Sequence, residues 1–324
     1  MAQREMTMKD YLEILIVVVV WGFNFIAIKI GLSGFPPLFM VVIRFLLVFF
    51  PAAFFIKRPN IPARYLIIYG LFMGIGQFSL LFYSINIGLP AGIASVLLQS
   101  QAVFTLLFSA ILIKEKIAGV QILGIMISVF GVLYLGGVFN AATRLPAIPF
   151  ILALLAAVCF GASNVAYRAI HDYSQKHNQT TDVTGILVWT ALYIPVPMLL
   201  ISMLVETPAV IWSALTKLQA PAVISIAYTV LLSTFVAYGL WNRLISRFSA
   251  SRIAPFSLLV PIVAVFGAVL FLSESVFVDQ YIGMVITIIG LVVTNLGTRF
   301  LKFLKPAQIE GQFHESVKEQ FQTK

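Results

Sequence analysis

Charge is what this sequence has least of. Asp, Glu, Lys and Arg make up 10% of the 324 residues and hydrophobic residues 60%, whereas a soluble domain is about a quarter charged. So few charges cannot cover a water-facing surface, and the composition reads as an integral membrane protein. Cysteine is almost absent: Cys159, inside an apolar run, stands alone, which excludes an intrachain disulfide and a thiolate metal site. Acids and histidines are missing from the middle of every apolar run. His171, His177 and His314 lie between or beyond the runs, and Asp10, Glu13, Glu115, Glu206, Glu274 and Asp279 lie near run ends. A membrane enzyme that cuts bonds needs such groups converging in or beside the bilayer, so no catalytic residue and no metal ligand is assigned. A GxxxxGK[ST] loop is also missing, which leaves ATP-driven pumping without support. No cofactor is implied, and a retinal-type receptor would want a mid-run lysine late in the chain, where Lys302 and Lys305 sit only at the end of the last run.

What is present is a series of apolar runs. A hydrocarbon core of about 30 Å needs roughly 20 residues of helix, and ten segments qualify: 11–31, 36–56, 65–85, 91–113, 118–138, 147–168, 183–205, 221–244, 252–272 and 278–301. The first continues through Trp21 and Asn24 with no small-residue cleavage site, so it reads as a retained span and not a signal peptide. Residues 171–182 read as a polar connection, 208–219 as a short helix on the membrane surface, and 306–324 as a loose polar tail.

The net charge of +9 does not signal nucleic acid, because Lys and Arg cluster in the short gaps. With the N-terminus inside, 17 of the 21 fall in inner segments, Arg144 and Lys217 fall outside, and Lys29 and Arg44 lie within spans. Positive residues stay on the cytoplasmic side, so both termini are expected in the cytoplasm.

The chain also repeats itself. Shifting it by 159 positions places Glu115 on Glu274, Gln121 on Gln280, Gly124 on Gly283 and Gly131 on Gly290, while the first spans pair at 139, with Gly22 on Gly161 and Lys29 on Arg168. Five crossings per unit force the second unit upside down. The loops agree, since Lys114-Glu115-Lys116 becomes Ser273-Glu274-Ser275 where the rule wants no positive charge. The expected architecture is all-α: ten transmembrane helices in two inverted five-helix repeats, 10–138 and 147–301, followed by a cytoplasmic tail, 302–324.

Inside the spans, polar and aromatic residues recur at helical spacing: Trp21 and Asn24; Gln101, Thr105 and Ser109; Asn164, Tyr167 and Arg168; Thr234, Tyr238 and Trp241. Lipid cannot satisfy such groups, so they face another helix or a wet cavity. Residue by residue they read equally as interhelical ties; taken together they favour a central cavity. Arg44, mid-span, reads either as a carboxylate anchor or as a tie to backbone carbonyls, and Lys29 either touches substrate or snorkels. Pro255 and Pro261 in the ninth span, with Gly70, Gly74 and Gly76 in the third, suit gating elements.

Trp21-Gly22-Phe23-Asn24, Arg44-Phe45 and the twice-used Glu-x5-Gln-x2-Gly resemble the EamA-like branch of the drug/metabolite transporter superfamily over nearly all of the chain to about Phe300. Gly88 to Ser95, Gln99 to Ala102 and Ala254 to Pro261 resemble the amino-acid metabolite exporters of that branch. The resemblance implies an inner-membrane secondary transporter that exports small amino acids or related metabolites through a cavity open alternately to each side. Trp21, Asn24, Gln77, Tyr83, Gln99, Gln101, Asn164, Tyr167 and Tyr238 are taken as cavity wall, with Arg44 and Lys29 as carboxylate partners. The expected partners are a small-molecule substrate and the lipid bilayer, with a proton and a second copy of the chain (a homodimer) left open. Facilitated diffusion and coupling through a span-end acid such as Glu13 both stay open. The alternatives are a sugar nucleotide, lipid or drug carrier of the same fold, and a membrane-embedded enzyme.

Overall fold

The structure, a computed structural model, describes residues 6–140, 144–180, 182–248 and 250–304. Among them there are helices and no strands. We label the apolar helices α1 (Met8–Gly31), α2 (Pro37–Ala53), α3 (Ala63–Asn86), α4 (Ala91–Leu112), α5 (Gly119–Leu135), α6 (Ala147–Lys176), α7 (Val183–Tyr193 and Pro195–Val205), α8 (Ala220–Phe248), α9 (Ala254–Leu272) and α10 (Val278–Leu304). Seven of these are long and apolar enough to cross a membrane, and α7 is an eighth if its two halves, bent by 42°, count as one span. α2 and α5 have 17 residues each, about 26 Å at 1.5 Å per residue, slightly short of the hydrocarbon core. A helix therefore stands at every expected segment, while the number of crossings that length alone supports is smaller than ten.

Helix starts follow local chemistry. α1 opens on a capping box, in which the Thr7 side chain accepts from the Asp10 N–H and Asp10 accepts from the Thr7 N–H at 2.8 Å. Proline sits at or just before the first turn of α2, α3, α4, α6 and α8, at Pro37, Pro62, Pro90, Pro146 and Pro221, where its missing N–H costs nothing. A short helix stands after α7 as expected, over Pro208–Thr216, with Trp212 exposed. One expectation is corrected. Residues 171–176 do not form a connection, because α6 continues to Lys176. Ile170 is buried with Ile61, Leu66 and Ile186, and the Tyr173 ring meets that of Tyr65 at 5.2 Å, which draws the extra turns against α3. The polar tail after Leu304 lies outside the described residues.

The packing pairs helices reciprocally. α1 lies against α8 and α9, α6 lies against α3 and α4, and α5 lies along α10. Glycine permits the closest crossings. A Cβ on Gly22 would sit 2.6 Å from the Val263 Cβ, and one on Gly161 would sit 2.7 Å from the Phe104 Cβ. Along α5 and α10, Gly124 faces Gly290 and Gly131 faces Thr287 backbone to backbone. Leu123, Met126, Phe130, Ile282, Val285 and Ile289 point outward from this pair, as a lipid-facing surface requires.

Candidate functional site

Two helices change their winding where the polar residues gather. α3 runs as a π-helix over Leu71–Phe78, and α8 does so over Tyr228–Ala237. Such segments recur at functional sites because they re-aim side chains and free carbonyls. In α8 the Thr234 hydroxyl donates to the Thr229 carbonyl at 2.9 Å, spanning the five-residue step of the π turn. In α3 the segment carries Gln77 and Phe78.

Arg44 of α2 reaches between these segments. It is 3% exposed, its Nη2 donates to Thr234 Oγ1 at 3.3 Å, and its Cζ lies 4.2 Å from the centre of the Phe78 ring. Its Nε and Nη1 have no partner. The alternative reading of Arg44, a tie to backbone carbonyls, finds no such bond. A neutral hydroxyl and a ring face leave the charge uncompensated in surroundings where a lone arginine costs about 2.5–3.5 kcal/mol or more.

α1 supplies the opposite wall. Trp21 Nε1 donates to the Ser233 carbonyl at 3.2 Å, and its ring meets Tyr238 and Trp241 at 5.2 and 5.1 Å. Tyr228 donates its hydroxyl proton to the Val20 carbonyl at 2.9 Å, and Ser225 donates to the Ala27 carbonyl. Asn24 lies between these ties, buried, with Oδ1 unpartnered. Gln77 is also buried, with Oε1 unpartnered. Tyr167 meets Tyr69 at 5.7 Å on the α3–α6 side.

The other expected wall residues sit elsewhere. Gln101, Thr105 and Asn164 form a closed neutral cluster between α4 and α6: Asn164 donates to Gln101 Oε1 at 2.6 Å and to Thr105 Oγ1 at 3.0 Å, and Thr105 donates to the Gln101 carbonyl at 2.7 Å. Gln99 donates to the Ser257 carbonyl at 2.7 Å, tying the break in α4 at Ser100 to the start of α9. Lys29 donates to the Ile85 carbonyl at 3.1 Å, which satisfies the end of α3. Tyr83 lines a cavity of about 680 Å³ with Ser33, Asn86, Glu206, Lys217 and Gln219, at the end of the bundle opposite the N-terminus. Pro255 and Pro261 do not kink one continuous helix. Each stands in the first turn of its own segment, a 3₁₀ stretch at Ala254–Leu259 and an α-helix at Val260–Leu272, because proline is compatible with a first turn and not with a helix interior.

Both ends of the bundle are tied by acids. At the N-terminal end, buried Asp10 and Glu13 pair with Arg247 and Arg243 at 3.3 and 3.6 Å, and Glu115 pairs with Arg168 at 2.7 Å. At the far end Glu206 accepts from the N–H groups of Leu38 and Phe39 at 2.6 and 3.0 Å, and Glu274 accepts from those of Ala91 and Gly92 at 2.7 and 3.2 Å. A carboxylate at a helix N-terminus is favoured by the exposed N–H groups and the helix dipole. These two caps and Phe78 escaped the sequence reading. Each comes from a residue distant in sequence, and the only local sign was a proline-marked helix start with no capping side chain of its own.

Comparison with known proteins follows the geometry. The EamA-like transporter family matches the chain twice, over residues 8–137 and 147–296. A protein named probable amino-acid metabolite efflux pump in Escherichia coli is 37% identical over 93% of this chain and 99% of its own. Its namesake in Salmonella typhimurium is 38% identical over 91% and 97%. A crystal structure shares the fold at a TM-score of 0.59, with 16% identity, covering 91% of this chain and 99% of its own.

Proposed function

The chain belongs to the EamA-like transporter family, and from that premise we propose that it exports small amino acids or related metabolites across the inner membrane by alternating access. It is a multi-pass membrane transporter and not an enzyme. The observation that carries the substrate class is Arg44, a 97% buried cation with Nε and Nη1 unpartnered, held only by the Thr234 hydroxyl and the face of the Phe78 ring. A planar guanidinium with two unpartnered donor nitrogens matches a carboxylate, the group common to amino acids and their acylated derivatives.

In this proposal the ten helices are ten crossings, and residues 10–138 and 147–301 are two inverted units with both termini cytoplasmic. The double family match, the reciprocal contacts of Gly22 with Val263 and of Gly161 with Phe104, and the paired π segments support it. The acid ties at the two ends are then the groups that must break in turn as each side opens. Pro255 and Pro261, at the changes of winding in α9, serve as hinge points, and Gln99 couples α4 to them through Ser257. No acid among the described residues stands mid-span, so substrate movement runs down its own gradient or couples to protons through an end group such as Glu13.

Reconstitution into liposomes with labelled amino acids, their derivatives, sugar nucleotides and lipids, with and without a pH gradient, tests the reading. Uptake of amino acids or derivatives is expected. Passage of only a sugar nucleotide or lipid overturns it.

A further inference from the structure

The unpartnered atoms at the centre sort by what they can bind. Arg44 offers donors only, Nε and Nη1, whereas Asn24 Oδ1 and Gln77 Oε1 are acceptors. All three residues are more than nine-tenths buried, at 3%, 8% and 4% exposed. A buried polar atom without a partner is unfavourable unless something else satisfies it, so the set describes the complement of a ligand: one anionic end and one end that donates protons.

The two ends are linked through shared neighbours. Gln77 directly precedes Phe78, whose ring lies under the Arg44 guanidinium. Arg44 meets Thr234, and the adjacent Ser233 carbonyl holds Trp21, one helical turn from Asn24. Among the described residues, five acids are paired at the two ends of the bundle: Asp10 and Glu13 with Arg247 and Arg243, Glu115 with Arg168, and Glu206 and Glu274 with the starts of α2 and α4, one Glu13 oxygen keeping no partner. The ammonium end is therefore met by neutral amide oxygens and by the faces of Trp21 and Tyr238, which attract a cation without neutralising Arg44. The site keeps one positive charge, which repels any ligand that is itself net positive.

Resting on the transport reading above, we infer that Asn24 and Gln77 determine specificity. Their amide oxygens take the ammonium of a zwitterionic amino acid whose carboxylate sits on Arg44, so neutral and anionic amino acids pass and net-cationic amines do not.

The test uses alanine, serine and cysteine, each as free acid, N-acetyl derivative and methyl ester, with the full-length protein in liposomes. The wild type is expected to carry the free and N-acetyl forms, with the esters at least tenfold lower. Asn24→Leu and Gln77→Leu are expected to lower the ratio of free to N-acetyl transport more than threefold, because the acetylated form never used the amide oxygens. Gln77→Glu is expected to admit the esters. The ratio is internal to each variant, so reduced expression does not mimic it; where a leucine variant fails to reach the membrane, Asn24→Ala and Gln77→Met give the same readout. Ester transport by the wild type equal to that of the free acids, or a ratio shift below threefold, overturns the assignment and leaves the transporter reading intact. A wild type that carries none of the nine compounds overturns both.

Discussion

Arg44 and Glu274 show how differently a single charge behaves according to its partners. Arg44 faces one hydroxyl and one ring, so replacing it removes a cost to the fold and, on the proposed function, a contact to the substrate together. Arg44→Gln is expected to reach the membrane at the wild-type level and to lose at least tenfold in amino-acid uptake, as an interaction of about 1.4 kcal/mol would give. Quantifying membrane-inserted protein beside uptake checks both parts, and normal uptake by a normally inserted variant removes the anchor. Glu274 is instead a structural group: its carboxylate accepts from Ala91 and Gly92 at the start of α4. Glu274→Ala should cost about 0.5–2 kcal/mol, the usual loss for a helix cap, seen as a lower melting midpoint in detergent.

Helices in a bilayer associate through close packing more than through the hydrophobic effect, which makes the α5–α10 crossing sensitive to bulk. A side chain on Gly131 would run into the Thr287 backbone, and backbone cannot rotate away. Gly131→Leu is expected to destabilise the protein by several kcal/mol, as overpacking does at its worst, with loss of monodisperse protein on size exclusion. Gly239 in α8 is the control, since nothing lies within 4 Å of an added Cβ. Gly239→Ala should be neutral or should stabilise by up to about 1 kcal/mol through helix propensity. The π segments of α3 and α8 belong to the same scale. Of the glycines at 70, 74 and 76, read in the sequence as gating elements, Gly74 packs against Ile194 and Gly76 against Cys159. The change of winding itself left no periodic signature, because one extra residue per turn barely disturbs an all-apolar pattern.

For the whole molecule the testable quantity is which way it lies. Cys159 is the only cysteine, so Cys159→Ser gives a background for single-cysteine labelling. A cysteine at Lys217 is expected to react with an impermeant maleimide in intact cells, and one at Lys57 only after permeabilisation. The opposite pattern would place both termini outside.

Composition and the positions of charge and proline were enough to mark the apolar helices to within a few residues, apart from the extension of α6 to Lys176. The physical reason is that hydrocarbon imposes its demand on every segment locally: length, apolarity and backbone satisfaction can be read without knowing any neighbour. The repeat was legible for the same reason, since Gly124, Gly131, Gly283 and Gly290 keep their spacing in the sequence. Which polar residues share a centre was decided only by the tertiary structure. Arg44 of α2 reaches Thr234 of α8 and Phe78 of α3, in two π segments, while Gln101 and Asn164, equally polar in the sequence, satisfy each other. Whether a buried polar group is a tie or an open binding atom depends on what lies across from it, and only packing determines that.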